Sequence, residues 1–156
     1  MKVFSSAFKE GEWIPKKYSA RRENISPDLQ ITELPEDTIS LVITLDDSSH
    51  PLFPNYNHWV IWNIPSCKAI PEGIEKGKYV QKLGNAVQGM AYGKHCYKGP
   101  KPPLKTIHKY TFTVFAIDTM LDLLPSDGKE QVMQAIEGHI LEKAILTGKF
   151  QSHRKE

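Results

Sequence analysis

Cysteine is scarce in this 156-residue chain, with only Cys67 and Cys96. Two thiols cannot make a disulfide framework, so stability has to come from a hydrophobic core, and both are read as free. A single Cys67–Cys96 disulfide is the lesser alternative. A metal site from Cys67, Cys96 and His95 lacks paired-ligand spacing. No apolar run approaches the roughly 18 residues of a membrane span. Lys9, Glu10 and Glu12 interrupt Met1–Pro15 before a secretory segment could form, so a cytoplasmic location is expected. Excess charge is missing too: the net charge is +2 and the basic residues are interleaved with acidic ones, which argues against a nucleic-acid partner. There is no internal repeat, low-complexity tract or interdomain linker. One domain over 1–150 with a polar tail at 151–156 is the expected organisation.

Hydrophobic residues make up 40% of the chain and charged residues 24%, the balance of an ordinary globular protein. Eleven prolines and ten glycines punctuate short segments, as they do in β domains. Ile39–Leu45 is apolar and β-branched and runs into Asp46-Asp47. Ile107–Ile117 alternates with period two, placing His108, Tyr110, Phe112, Val114 and Ala116 on one face. His58–Ile64 is apolar on both faces, so a central strand is expected there. Weaker strands are expected at Val3–Phe8 and Leu29–Glu33. Ser126 or Asp127 is placed to cap a helix whose stripe is Val132, Ile136 and Ile140. Gly138 bends or restarts that helix, and a second helical piece is expected through Leu141, Ala144 and Ile145 to Gly148. The fold class is therefore mostly β, with central antiparallel sheets and few helices, one of them near the C-terminus.

Three of these strands carry an ionisable group at one end. Leu41, Ile43, Leu45 and Asp47 share a face, so Asp47 closes an apolar stripe just as His108 and Tyr110 open one. His58 precedes Trp59 and its apolar run. Polar groups at the mouth of an apolar face cost about 1–3 kcal/mol each unless they are hydrogen-bonded. Taken singly, Asp47 reads as a cap of the turn Ser48–Pro51, and the histidines as satisfied edge residues. Their convergence points instead to a pocket. The segment Tyr97–Pro103 supplies a candidate wall, stiffened by Pro102 and brought close by Gly99. His50 lies in the turn after Asp47, near the expected mouth.

These residues stand in an order that resembles the phosphatidylethanolamine-binding protein family, in its prokaryotic Raf-kinase-inhibitor-like branch. The family's Asp-Asp-Pro-Asp-Ala-Pro block followed by His-Trp appears as Asp46-Asp47-Ser48-Ser49-His50-Pro51 and His58-Trp59. Its Gly-x-x-Pro-Pro block followed by His-x-Tyr-x-Phe appears as Gly99–Pro103 and His108–Phe112. Asn24-Ile25-Ser26-Pro27 and Glu137–Leu141 extend the likeness over nearly the whole chain. The resemblance implies a β fold with an anion pocket at one end, lined by Asp47, His58, Gly99, Pro102, His108 and Tyr110. It also implies a ligand such as phosphate or a phospholipid headgroup, a protein kinase or protease as partner, and a homodimer. Ser48 and Ser49 replace the usual Pro and second Asp, and Glu23 replaces a common Gly.

The expectation is a binding protein without catalytic residues, cofactor or metal. Asp47 beside an imidazole would favour its protonated form, which donates strongly to anion oxygens. A Ser-His-Asp hydrolase using Ser48 or Ser49 is one alternative, though no Gly-x-Ser-x-Gly elbow is present. A metal enzyme using Asp47, His58 and His108 is a second. A regulatory protein in which the pocket is secondary is a third.

Overall fold

The computed structural model describes residues 1–156. Its elements run β1 (Lys2–Phe4), β2 (Leu29–Thr32), β3 (Ser40–Asp47), β4 (Tyr56–Pro65), β5 (Ala69–Ile70), β6 (Tyr79–Val80), β7 (Ala86–Gln88), β8 (His108–Ile117), α1 (Lys129–Ile136) and β9 (Ile140–Phe150), with single 3-10 turns at Lys16–Tyr18 and Gln81–Leu83. Two antiparallel sheets result, ordered β1-β2-β5 and β6-β7-β4-β3-β8-β9. The fold is mostly β, as the punctuation and strand patterns predict.

β3 sits at the centre of the larger sheet, and all eight of its residues are buried. Its two faces meet different layers. Leu41, Ile43 and Leu45 pack toward the small sheet, against Val3, Leu29, Ile31 and Ile70. Val42 turns to the other side with Val60, Trp62, Phe115 and Ile117, where Val132 and Ile136 of α1 and Leu121 cover them. Burial on both sides explains why Leu41–Leu45 and Trp59–Trp62 are apolar at nearly every position instead of alternating. The two aspartates that end β3 therefore part company. Asp46 pairs with Lys129 of α1 at 2.9 Å, and Asp47 faces the inner layer.

The five expected strands are all present, with ends displaced by a few residues. The C-terminal third differs. Gly128, not Ser126 or Asp127, is the N-cap of α1, and its N–H donates to Gln131 Oε1 at 2.9 Å. Gly138 takes φ +81° and ends the helical segment for good. The expected second helical piece is a strand: β9 pairs along the whole of β8, from Ile117↔Ile140 to His108↔Phe150. Leu141, Ala144 and Ile145 fit helical spacing, but Leu146, Gly148 and Phe150 are buried with period two. The open edge of β8 decides between the two, because a complete ladder satisfies backbone groups that a helix there would leave unpaired. The tail is anchored where it begins: Ser152 is buried, accepts from Arg21 Nε and donates to the Pro102 carbonyl, both at 2.7 Å.

The boundary between α1 and β9 is testable by core truncation. Ile136 is fully buried, whereas Ile140 is 42% exposed. Ile136→Ala should cost about 2–5 kcal/mol in urea unfolding and Ile140→Ala much less. Equal costs would restore the continuous helical stripe.

Candidate functional site

The inner layer ends in a small cavity of about 200 Å³ where β3, β4 and β8 terminate. Asp47 and Tyr110 are cross-strand partners at this end. Asp47 is almost wholly buried and uses both oxygens. Oδ1 accepts the Ser49 N–H at 2.9 Å, closing the turn, and Oδ2 accepts from His108 Nδ1 at 2.7 Å. The capping role and the pocket role are thus filled by one side chain. With Nδ1 committed to Asp47, His108 turns Nε2 to the cavity that the ring lines.

His58 arrives by a different device. Leu45 pairs with Trp59 but Asp46 pairs with Asn57, so β4 carries one extra residue at this point, and that residue is His58. Regular alternation would send His58 to the face opposite Trp59. The bulge returns it to the inner side. Asn57 pins the irregularity, its Nδ2 donating to the Leu45 and Trp59 carbonyls at 3.2 and 2.9 Å and to Asp46 Oδ1 at 3.1 Å. His58 Nδ1 donates to the Lys98 carbonyl at 2.9 Å. Burial holds the His58 pKa below the usual histidine value, opposed by the Lys98 carbonyl and the Asp47 charge. The ring is therefore neutral near neutral pH, with an accepting Nε2 toward the cavity. Desolvation outweighs the nearby carboxylate at this ring, and the imidazole that Asp47 orients is His108.

Burial, followed by the Asp47 charge, pushes the Tyr110 phenol far above its ordinary value, so it stays protonated and able to donate. Its ring lies edge-on to His58 at 5.4 Å and stacks with His108 at 6.4 Å. Pro102 lines the opposite wall, and its carbonyl takes hydrogen bonds from Ser152 Oγ and Arg21 Nη2. Gly99 does not line the cavity. Its N–H donates to Asn24 Oδ1 at 2.8 Å, and a Cβ there would lie 1.9 Å from the Tyr18 carbonyl oxygen. Gly99 lets the wall segment pass the 18–24 segment.

Of the lining residues, Tyr92 lies outside every segment the sequence pointed to, and Lys98 and Lys101 lie in the expected Tyr97–Pro103 wall but were given no role of their own. Tyr92 and Gly93 form the corner of a two-residue turn, with Ala91 and Lys94 exchanging backbone hydrogen bonds at 3.1 and 3.0 Å and both corner residues at positive φ. A tyrosine at φ +52° is uncommon and stores local strain of the kind found near binding sites. It places the ring 4.9 Å from His58, under the Lys98 ammonium at 3.6 Å. A Tyr-Gly pair between turn signals was the available clue. His50 also reaches the mouth, where it stacks on Tyr56 at 4.9 Å. A larger, mostly apolar groove of about 660 Å³ lies between residues 1–10 and 144–146, but it gathers no buried ionisable group.

The depressed His58 pKa makes a stability prediction. The unfolded chain binds a proton at His58 near pH 6.5, and the native chain binds it only at lower pH. This contribution is thus complete above that pH and is lost as pH falls through it. Thermal unfolding across pH should show an acid-side loss of stability that is smaller in His58→Gln. An identical pH dependence in the two proteins would contradict the burial argument.

Residues 4–151 match the model of the family described as phosphatidylethanolamine-binding protein. A UPF0098 protein of Pyrococcus abyssi is 40% identical over 149 residues, which span 94% of this chain and 83% of that one. A phosphatidylethanolamine-binding protein homolog of Chlamydia trachomatis superposes with a TM-score of 0.83 at 32% identity, covering 99% of this chain and 97% of its own. Escherichia coli YbcL, described as a member of the mammalian family, gives 0.86 at 25% identity, with 96% and 97% covered. The sheet architecture and these matches agree: the chain belongs to the phosphatidylethanolamine-binding protein family.

Proposed function

We propose that the cavity at the ends of β3, β4 and β8 binds a small anion, such as phosphate or a phosphate-ester headgroup, without covalent chemistry. The observation that carries this reading is the set of groups around one hollow: the Tyr110 hydroxyl and the ammonium groups of Lys98 and Lys101 as donors, beside the His108 ring that Asp47 orients. Its volume of about 200 Å³ is below the roughly 300–1,000 Å³ of pockets for drug-sized ligands. The occupant is accordingly a headgroup rather than a whole lipid.

The groups that a catalytic reading would need are engaged elsewhere. Ser48 Oγ donates to the Lys109 carbonyl and Ser49 Oγ accepts the Lys109 N–H, both at 3.0 Å, so both hydroxyls are tied to the β8 backbone and neither is hydrogen-bonded to a histidine. Asp47 and His108 are bonded to each other, and the second Asp47 oxygen holds the turn. A carboxylate that orients one imidazole also occurs behind metal-bound histidines, but no three His, Cys, Asp or Glu side chains of the chain are grouped as a ligand set.

Proton linkage follows from the tautomers. His58 donates through Nδ1 to the Lys98 carbonyl, so its neutral Nε2 can only accept. The charge of a bound phosphate dianion draws a proton from solvent onto that nitrogen. The complex thereby takes up a proton, so affinity should fall as pH rises. Calorimetric titration with inorganic phosphate from about pH 6 to about pH 9 should show weakening affinity and buffer-dependent heats that report proton uptake. Constant affinity would contradict the linkage. His108→Ala removes a ring that lines the cavity and leaves the Asp47 carboxylate unpaired beside the anion, so phosphate binding should weaken at least about 10- to 100-fold with the fold retained. Unchanged affinity would place the anion elsewhere.

A further inference from the structure

A second cavity, of about 230 Å³, adjoins the first and shares Tyr92, Lys98 and Lys101 with it. It adds Lys76 and Lys94, so four ammonium groups border it, and its lining contains no carboxylate. None of the four lysines makes an ion pair anywhere in the molecule. Like charges gathered without counter-charge raise the energy of the free protein and create a field that favours an anion. Lys98 records the crowding. Burial, then the charges of Lys101 and Lys94, lower its pKa. The strained turn at Tyr92 and Gly93 holds this arrangement, directing the Tyr92 ring under the Lys98 ammonium and ending in Lys94.

We propose that this lysine-lined cavity is a specificity subsite, and that the ligand is a phosphate ester carrying a second anionic group, against which a cationic headgroup such as ethanolamine is disfavoured. The proposal rests on phosphate occupying the His58–His108 cavity. The phosphate would lie against His108 and Tyr110, and the second anion would reach past Tyr92 toward Lys94 and Lys76. An ethanolamine ammonium directed the same way meets four cations and finds no carboxylate to pair with. Asp47, the acid of the adjoining cavity, is already paired with His108. Lys76 and Lys94 border only the second cavity, so they are the residues that set the preference.

The test uses two phosphate esters of similar length with opposite second charges, 2-phosphoglycolate and phosphoethanolamine, with inorganic phosphate as reference. Calorimetry at about 0.15 M salt limits long-range charge effects. Phosphoglycolate should bind at least about tenfold more tightly than phosphoethanolamine, with inorganic phosphate between them. Lys76→Ala/Lys94→Ala should bring the two ester affinities together. Lys9→Ala/Lys68→Ala, which removes the same charge from residues outside both cavities, should keep the order. Equal or reversed affinities in the unaltered protein would overturn the subsite. So would an order that survives Lys76→Ala/Lys94→Ala, or one that collapses equally in the Lys9/Lys68 variant. Loss of all three ligands, inorganic phosphate included, would overturn the primary pocket as well, which separates the two failures.

Discussion

The hydrogen bond between Asp47 and His108 organises this end of the molecule. A buried carboxylate is tolerable only when paired, and a buried imidazole only when its nitrogens are used. Each answers the other's requirement at 2.7 Å, between neighbouring strands that end at the same level. The pairing fixes which His108 nitrogen faces the cavity. It also gives both Asp47 oxygens fixed donors, His108 Nδ1 and the Ser49 N–H. Tyr110 lies beside both and keeps its proton.

The remaining geometry depends on irregularities placed against this regular frame. The β4 bulge, pinned by Asn57, brings His58 to the inner face. The positive-φ turn brings Tyr92 and Lys98 over it. Gly99 and Asn24 seat the proline wall, which Arg21 and Ser152 tie to both ends of the chain. Rigid strands thus supply the two central side chains, His108 and Tyr110, and strained or bulged backbone supplies the rest of the rim. This division lets the rim vary its charge without disturbing the floor.

Much of this was legible in the sequence because period-two patterning fixes faces. Asp47, His108 and Tyr110 fall on one side of their strands by counting alone. His58 was assigned to the site from its place at a strand end, although alternation without the bulge would have turned it away. A bulge depends on pairing register, which a single strand does not encode. Tyr92 carries no periodic signal and meets Lys98 only when separate segments fold together, and the lysines of the Tyr97–Pro103 wall have no spacing that marks them as lining. The close approach expected at Gly99 is present against the Tyr18 carbonyl. The helix expected through Ile145 failed because i, i+3, i+4 spacing also occurs by chance in a strand. The long-range ladder to β8 then overrides local preference.

The central claim is that both buried imidazoles present Nε2 to one shared anion. Long-range ¹H–¹⁵N spectra of the histidine side chains, recorded with increasing phosphate, test it directly. The account predicts Nδ1-protonated rings at His58 and His108, with the Nε2 signals of both moving together on a common saturation curve while exposed His153 stays still. Separate curves, or no movement at His58 and His108, would contradict a common binding hollow.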